Sequence, residues 1–163
     1  MIDDIDRRLL DILQSDARTS NAEIARQLDM APSAIFERIR KLESRGLVLG
    51  YEARVAPRKV GLGLLCFISV RADEPGGSTT TGEALARVPE VLEVHHVAGD
   101  DCYLVKLRCA DTEDLARILR ERFGMIPTIR STRTTIVLTT LKETARLPLD
   151  QLEERREEQS HVA

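Results

Sequence analysis

Cysteine is scarce in this chain and never paired in sequence. Cys66, Cys102 and Cys109 are odd in number and spread out, and none belongs to a C-x-x-C pair. That spacing excludes a disulfide framework and a zinc site and fits reduced thiols in a cytoplasmic protein. No apolar run approaches the ~18 residues that cross a bilayer. The start, Met1-Ile2-Asp3-Asp4, is acidic where a secretory leader is basic, so no signal peptide is expected. Internal repeats and low-complexity tracts are missing. So are a serine in a nucleophile elbow and a paired Cys/His arrangement, which leaves no candidate catalytic residue for nucleophilic chemistry. Gly61-Leu62-Gly63 precedes a predicted strand instead of opening a helix, so it is no dinucleotide-binding turn, and no cofactor is expected. His95-His96 is the one histidine pair. On a strand its members face opposite ways, and a metal site is not expected.

What is present is an ordinary globular composition: 163 residues, 42% hydrophobic and 31% charged. Such a length allows one domain or two small ones. The net charge of −3 hides an asymmetry, because residues 1–60 carry 11 basic and 10 acidic side chains while the remainder is net acidic. A phosphate backbone responds to a local basic cluster and not to the global sum, so a nucleic-acid partner stays open.

Apolar residues at helical spacing (Ile5, Leu9, Ile12, Leu13) predict a first helix over residues 4–14, capped by Asp3 or Asp4. Ser20-Asn21-Ala22-Glu23 reads as a capping box in which Ser20 and Glu23 satisfy each other's backbone donors. After the tight connection Asp29-Met30-Ala31, Pro32 suits the first position of a third helix, with Ile35, Ile39 and Leu42 inward and Gly46 as its left-handed stop. Three short helices with a three-residue turn between the last two form a helix-turn-helix pattern. Residues 47–49 and 51–55 look extended.

Beyond a linker at 56–61 the pattern changes to strands at 62–70, 91–98, 103–109 and 128–141, with helices at 79–88 and 111–123. The expected fold class is therefore α+β: a three-helix winged or helix-turn-helix domain (1–55, motif about 21–40), then a ferredoxin-like βαββαβ domain with an antiparallel sheet (62–143). Residues 144–163 are expected as a charged tail, and its Glu- and Arg-rich part from Pro148 to Ala163 as a solvated helix or a frayed end. The Val- and Leu-rich strands would supply both core and a self-association face.

On a helical wheel the third helix turns Ser33, Glu37, Arg40, Lys41 and Ser44 away from its core stripe, with Arg38 and Arg45 at the flanks. The second helix of a helix-turn-helix enters the major groove and meets base edges with its N-terminal half. Ser33 and Glu37 are then placed for base contacts, and Arg38, Arg40 and Lys41 for phosphates. A plain solvated face, with Glu37 paired to Arg40 and Lys41, is the bland alternative.

Several segments resemble the Lrp/AsnC family of transcriptional regulators: Ile5-Asp6-Arg7-Arg8-Leu9-Leu10, Asp16-Ala17-Arg18, Glu23-Ile24-Ala25, Ala31-Pro32-Ser33-Ala34, residues 38–43 and Gly46-Leu47-Val48. Gly50-Tyr51, Pro57 and Val60-Gly61 continue the likeness, and Gly99 to Tyr103 with residues 132–141 resemble the family's C-terminal effector (RAM) domain. The resemblance implies dimers joined through the sheets, assembly to octamers, pseudo-palindromic DNA operators and an amino-acid effector held between dimers. Carried over position by position, it names Gly99, Asp100, Asp101, Cys102, Tyr103, Thr134 and Thr135 as the effector site. Threonine hydroxyls and turn amides suit a carboxylate, and acidic groups suit an ammonium. Cys102 departs from the pattern, since the family commonly has Asp there; Asp100 or Asp101 could substitute.

Two other readings compete with a ligand-responsive regulator. One is an architectural DNA binder with little sequence preference and no ligand. The other is an enzyme of the Lrp-like tetrapyrrole decarboxylase kind, for which His95 or His96 with Lys106 or Arg108 are the only candidates. The basic third helix argues against the latter.

Overall fold

In the computed structural model, which describes residues 2–149, the first helix, α1 (Asp4–Ser15), starts with a reciprocal capping box. The Asp6 amide donates to Asp3 Oδ1 at 2.7 Å, and the Asp3 amide donates to Asp6 Oδ2 at 3.3 Å. At α2 (Asn21–Leu28) only half of the expected box forms. Ser20 Oγ accepts from the Glu23 amide at 3.2 Å, but the Glu23 carboxylate turns to Arg26 and to Gln27 Nε2. Donors three and four residues ahead lie on the same helical face and win the competition for that carboxylate. Asp29 then adopts the left-handed conformation (φ 53°), which Asp tolerates better than most residues, and α3 (Pro32–Ser44) follows directly. It stops in a Schellman turn: the Leu47 amide donates to the Leu42 carbonyl and the Gly46 amide to that of Glu43, with Gly46 at φ 67°.

Leu9, Ile24, Ala25, Leu28, Ile35 and Leu42 pack the three helices together. Burying each large side chain is worth ~1.5–3 kcal/mol over leaving it exposed. The end of the described chain belongs to the same unit. Arg146 donates to Asp11 at 2.7 Å, and the Gln14 amide brackets the Leu147 backbone from both sides (2.7 and 3.2 Å). Leu149 packs against the helical core. Arg146 and Leu147 are thus tied to α1 through Asp11 and Gln14. The rest of the expected tail, 150–163, lies outside the described residues. Residues 47–55 form no strand; no neighbouring strand takes up their backbone groups, and Leu49 is 94% exposed.

The second unit, Arg54–Leu141, begins with a 3-10 turn at Pro57–Val60 that Leu62 closes by donating to the Pro57 carbonyl. Leu62 therefore belongs to the turn, and β1 runs Leu64–Ala72 instead of starting at 62. Then come α4 (Thr80–Ala86), β2 (Val91–His96), β3 (Tyr103–Cys109), α5 (Thr112–Glu121) and β4 (Ile129–Ile136). The sheet order is β2-β3-β1-β4 with every neighbour antiparallel, the ferredoxin-like arrangement expected from the element order. β4 ends well short of residue 141: its last pair sets Ile136 opposite Cys66, and β1 starts only two residues before Cys66, so residues 139–141 have no β1 backbone opposite them.

One sheet face carries Cys66, Ile68, Val70, Val105, Leu107 and Cys109 against Leu85, Leu115, Ile118 and Phe123. All three cysteines are free thiols. Burial pushes the Cys66 thiol up to about 11 and raises that of Cys109, so neither is a ready nucleophile. No helix among the described residues is long and apolar enough to cross a membrane.

Candidate DNA interface and effector turn

The face of α3 opposite its core stripe carries Ser33, Glu37, Arg40 and Lys41, all exposed. Among the described residues, Glu37 forms no ion pair with Arg40 or Lys41, so the face is not a set of self-cancelling helix pairs. Arg40 instead lies over the ring of Phe36 at 5.8 Å from its centroid. Phe36 is 48% exposed and was not marked by the apolar period, which counts inward residues only.

Arg38, expected as a phosphate clamp, is committed elsewhere. Its Nη1 donates to Asp3 Oδ2 at 2.8 Å and to Asp6 Oδ1 at 2.6 Å. It thereby ties α3 to the cap of α1. The Asp6 backbone and then Arg38 hold the Asp3 carboxyl below its usual value, while Asp3 and Asp6 raise that of the guanidinium. The reason is its wheel angle: Arg38 stands closer to the buried stripe than Arg40 and Lys41 do, within reach of the α1 N-terminus.

The expected effector residues fall into different environments. The turn Gly99-Asp100-Asp101 joins β2 to β3, with Gly99 at φ 131°, where glycine is favoured. Asp101 accepts from Arg133 of β4 at 2.8 Å, which draws the turn toward that strand. Cys102 contacts the β1 backbone, its thiol 3.5 Å from both the Ala72 amide and carbonyl. Thr134 sits opposite Ile68 and Thr135 opposite Phe67, so the two threonines face opposite sides of the sheet. Within one chain they do not converge on one ligand.

Tyr103 is 2% exposed, and its hydroxyl donates to Glu74, which lies in the loop between β1 and α4. Glu74 also accepts from Thr80 Oγ1 (3.0 Å), the Thr81 amide (3.2 Å), Thr81 Oγ1 (3.1 Å) and Ser78 Oγ (3.2 Å). Burial opposes its charge, but the bonds from Tyr103, the Thr81 backbone, Thr80 and Thr81 together hold the carboxyl down at about 2. Burial first, and Glu74 second, push the Tyr103 hydroxyl up to about 12. The loop carboxylate thus fastens Tyr103, at the start of β3, to the start of α4. An acid shortly ahead of Thr79-Thr80-Thr81 was the only sequence signal for it.

His95 and His96 face opposite ways, as expected of neighbours on a strand. His96 stacks on the Tyr103 ring at 5.1 Å, and His95 contacts Glu93 at 3.2 Å. Glu93 also accepts from Lys106 at 2.8 Å.

A family model described as "Lrp/AsnC ligand binding domain" matches residues 65–147, and one described as "Winged helix-turn-helix DNA-binding" matches residues 2–48. The chain is 37% identical over 148 residues to the HTH-type transcriptional regulator FL11 of Pyrococcus horikoshii, covering 91% of this chain and 97% of that protein. It is 33% identical over 148 residues to the leucine-responsive regulatory protein of Escherichia coli, covering 90% of each. Among solved structures it is similar to a transcriptional regulator of Neisseria meningitidis in complex with L-Met, at TM-score 0.87 and 27% identity, covering 93% of this chain and 99% of that one. It is also similar to the feast or famine regulatory protein of M. tuberculosis complexed with L-methionine, at TM-score 0.83 and 33% identity, covering 90% and 99%. Alike in sequence over nine-tenths of its length and alike in fold at both of its units, the chain belongs to the Lrp/AsnC family of DNA-binding transcriptional regulators.

Proposed function

We propose that this regulator is a cytoplasmic protein that reads a pseudo-palindromic operator as a homodimer or larger assembly, and that an amino acid bound near residues 99–103 modulates it. The observation that carries the DNA half of the reading is the exposed α3 face, whose Ser33, Glu37 and Lys41 are not consumed by one another. In this reading Ser33 and Glu37 meet base edges, Arg40 and Lys41 meet phosphates, and Arg38 holds the helix in place. The second sheet face, with Phe67, Leu104 and Thr135 among charged neighbours, is the surface for a second copy. Thr134 and Thr135 face opposite ways, so an effector site that uses both together with Asp100 and Asp101 would draw them from different copies. The L-methionine complexes of the two structural relatives support an amino acid as its occupant.

Fluorescence anisotropy on DNA from upstream of the protein's own gene, against a shuffled duplex at fixed salt, tests this. The runs are repeated with each of the twenty amino acids. The expected result is selective binding shifted by one or a few of them. Equal binding to both duplexes would instead identify an architectural DNA binder. Lys41→Ala is expected to weaken binding to every sequence and to lower the salt slope by about 1, whereas Glu37→Ala changes sequence preference. An unchanged preference in Glu37→Ala would remove Glu37 from the base-reading set.

A further inference from the structure

We infer that Phe36 is a specificity residue, an apolar reader of the 5-methyl group of thymine in the major groove. The inference rests on the reading of α3 as the helix that enters that groove. It starts from a residue that the fold does not use. Ile35 and Leu42 of the same helix are fully buried, and Ile39 packs against the helical core. Phe36 is 48% exposed and belongs to neither set. It follows Ser33 by three residues and precedes Glu37 and Arg40 by one and four, which puts it along the edge of the exposed face opposite Lys41.

The ring is also restrained. Arg40, one turn ahead, holds its guanidinium 5.8 Å from the ring centroid, a cation–π pair that limits the ring's rotamers. A restrained aromatic ring in the N-terminal half of a groove-entering helix meets base edges and not phosphates. Of the four bases, thymine alone presents an apolar group to the major groove, and phenylalanine has no hydrogen-bonding atom with which to address any other. Glu37, adjacent on the same face, supplies an acceptor for a cytosine amino group. The pair then reads by one apolar and one polar contact, with Arg40 bracing the apolar one.

The test uses the full-length protein and two stages. First, an operator is selected from random duplexes with the wild-type chain; failure to enrich any motif overturns the sequence-specific reading of α3 itself. Second, each thymine of the selected operator is replaced in turn by deoxyuridine, which deletes only the methyl group. The wild type is expected to lose affinity about fourfold at one position in each half-site, the weight of one methyl group withdrawn from water. Phe36→Ala should bind with the wild-type salt slope yet show no loss at that position, and Phe36→Leu should recover part of it. Tolerance of deoxyuridine at every position by the wild type would overturn the assignment. So would a loss of the same size in Phe36→Ala, or a change in oligomeric state on substitution, which would assign the ring to a protein contact.

Discussion

Glu74→Ala is expected to lower the melting temperature of the sheet unit by more than any other single substitution in the loops. The carboxylate accepts from Tyr103, Thr80, Thr81 and Ser78, and two of these donor residues, Tyr103 and Thr81, are buried. Bonds to a charged acceptor contribute ~1.5–3 kcal/mol each, and a buried donor left unpaired costs ~1–3 kcal/mol. Two such effects amount to about 3–4 kcal/mol, which at ~4–8 °C per kcal/mol in a domain of this size is a fall of roughly 12 °C or more. Calorimetry or near-ultraviolet circular dichroism reads it directly, and an unchanged transition would contradict the role given to Glu74. The pH dependence supplies a second readout. The carboxyl is held at about 2 in the folded chain against an ordinary value of 4.5, so it titrates later than in the unfolded chain. Its stabilisation is complete above the unfolded value and is lost as pH falls from there toward 2. Glu74→Gln keeps the shape but not the charge, and its stability should fall less steeply than the wild type's between those limits.

Arg38→Ala is expected to loosen the helical unit without altering how binding responds to salt. Asp6 is only 8% exposed, and Arg38 is the cation at its carboxylate and at that of Asp3. Removing it leaves a nearly buried negative charge uncompensated; with Arg38 itself partly exposed, the cost is about 2 kcal/mol. Hydrogen exchange should show lost amide protection in α1 and α3, with the sheet unit unaffected. Acid sensitivity changes in a defined direction. The Asp3 carboxyl lies below its usual value in the fold, so its contribution is present above the unfolded value of 3.8 and lost as pH falls through the lowered one. Arg38→Ala removes part of that contribution and flattens the acid limb. A salt slope reduced by about 1, as expected for Lys41→Ala, together with unchanged protection, would return Arg38 to the phosphate-binding set.

Several elements were legible in the chain because the forces that make them are local. A cap and its helix lie within three residues of each other, so α1 from Asp3, α2 from Ser20 and α3 from Pro32 could be placed with their inward residues. β3 was expected at 103–109 and spans Tyr103–Cys109, since the turn before it and the alternation along it are short-range signals. The antiparallel order followed from the succession of elements, because few connections are available to a split βαβ chain. Where two local partners competed, the sequence pattern was ambiguous: Glu23 chose Arg26 and Gln27 over the cap it was expected to complete.

The partners that define the candidate sites are a different matter. Arg38 is separated from Asp3 by 35 residues, Tyr103 from Glu74 by 29 and Arg133 from Asp101 by 32. Nothing in the neighbourhood of either member of these pairs announces the other. The same holds for residues 146–149 on α1, which composition alone assigns to solvent, and for Thr134 and Thr135, adjacent in sequence yet divided by the pleat. The amino-acid sequence by itself determined the helices, the order of strands, the family likeness and the basic face of α3, all products of periodicity and capping over a few residues. The tertiary structure alone decided which charges are spent inside the fold and which remain for a partner. Ion pairs and buried hydrogen bonds form only after the chain has closed the long loops that bring their members together.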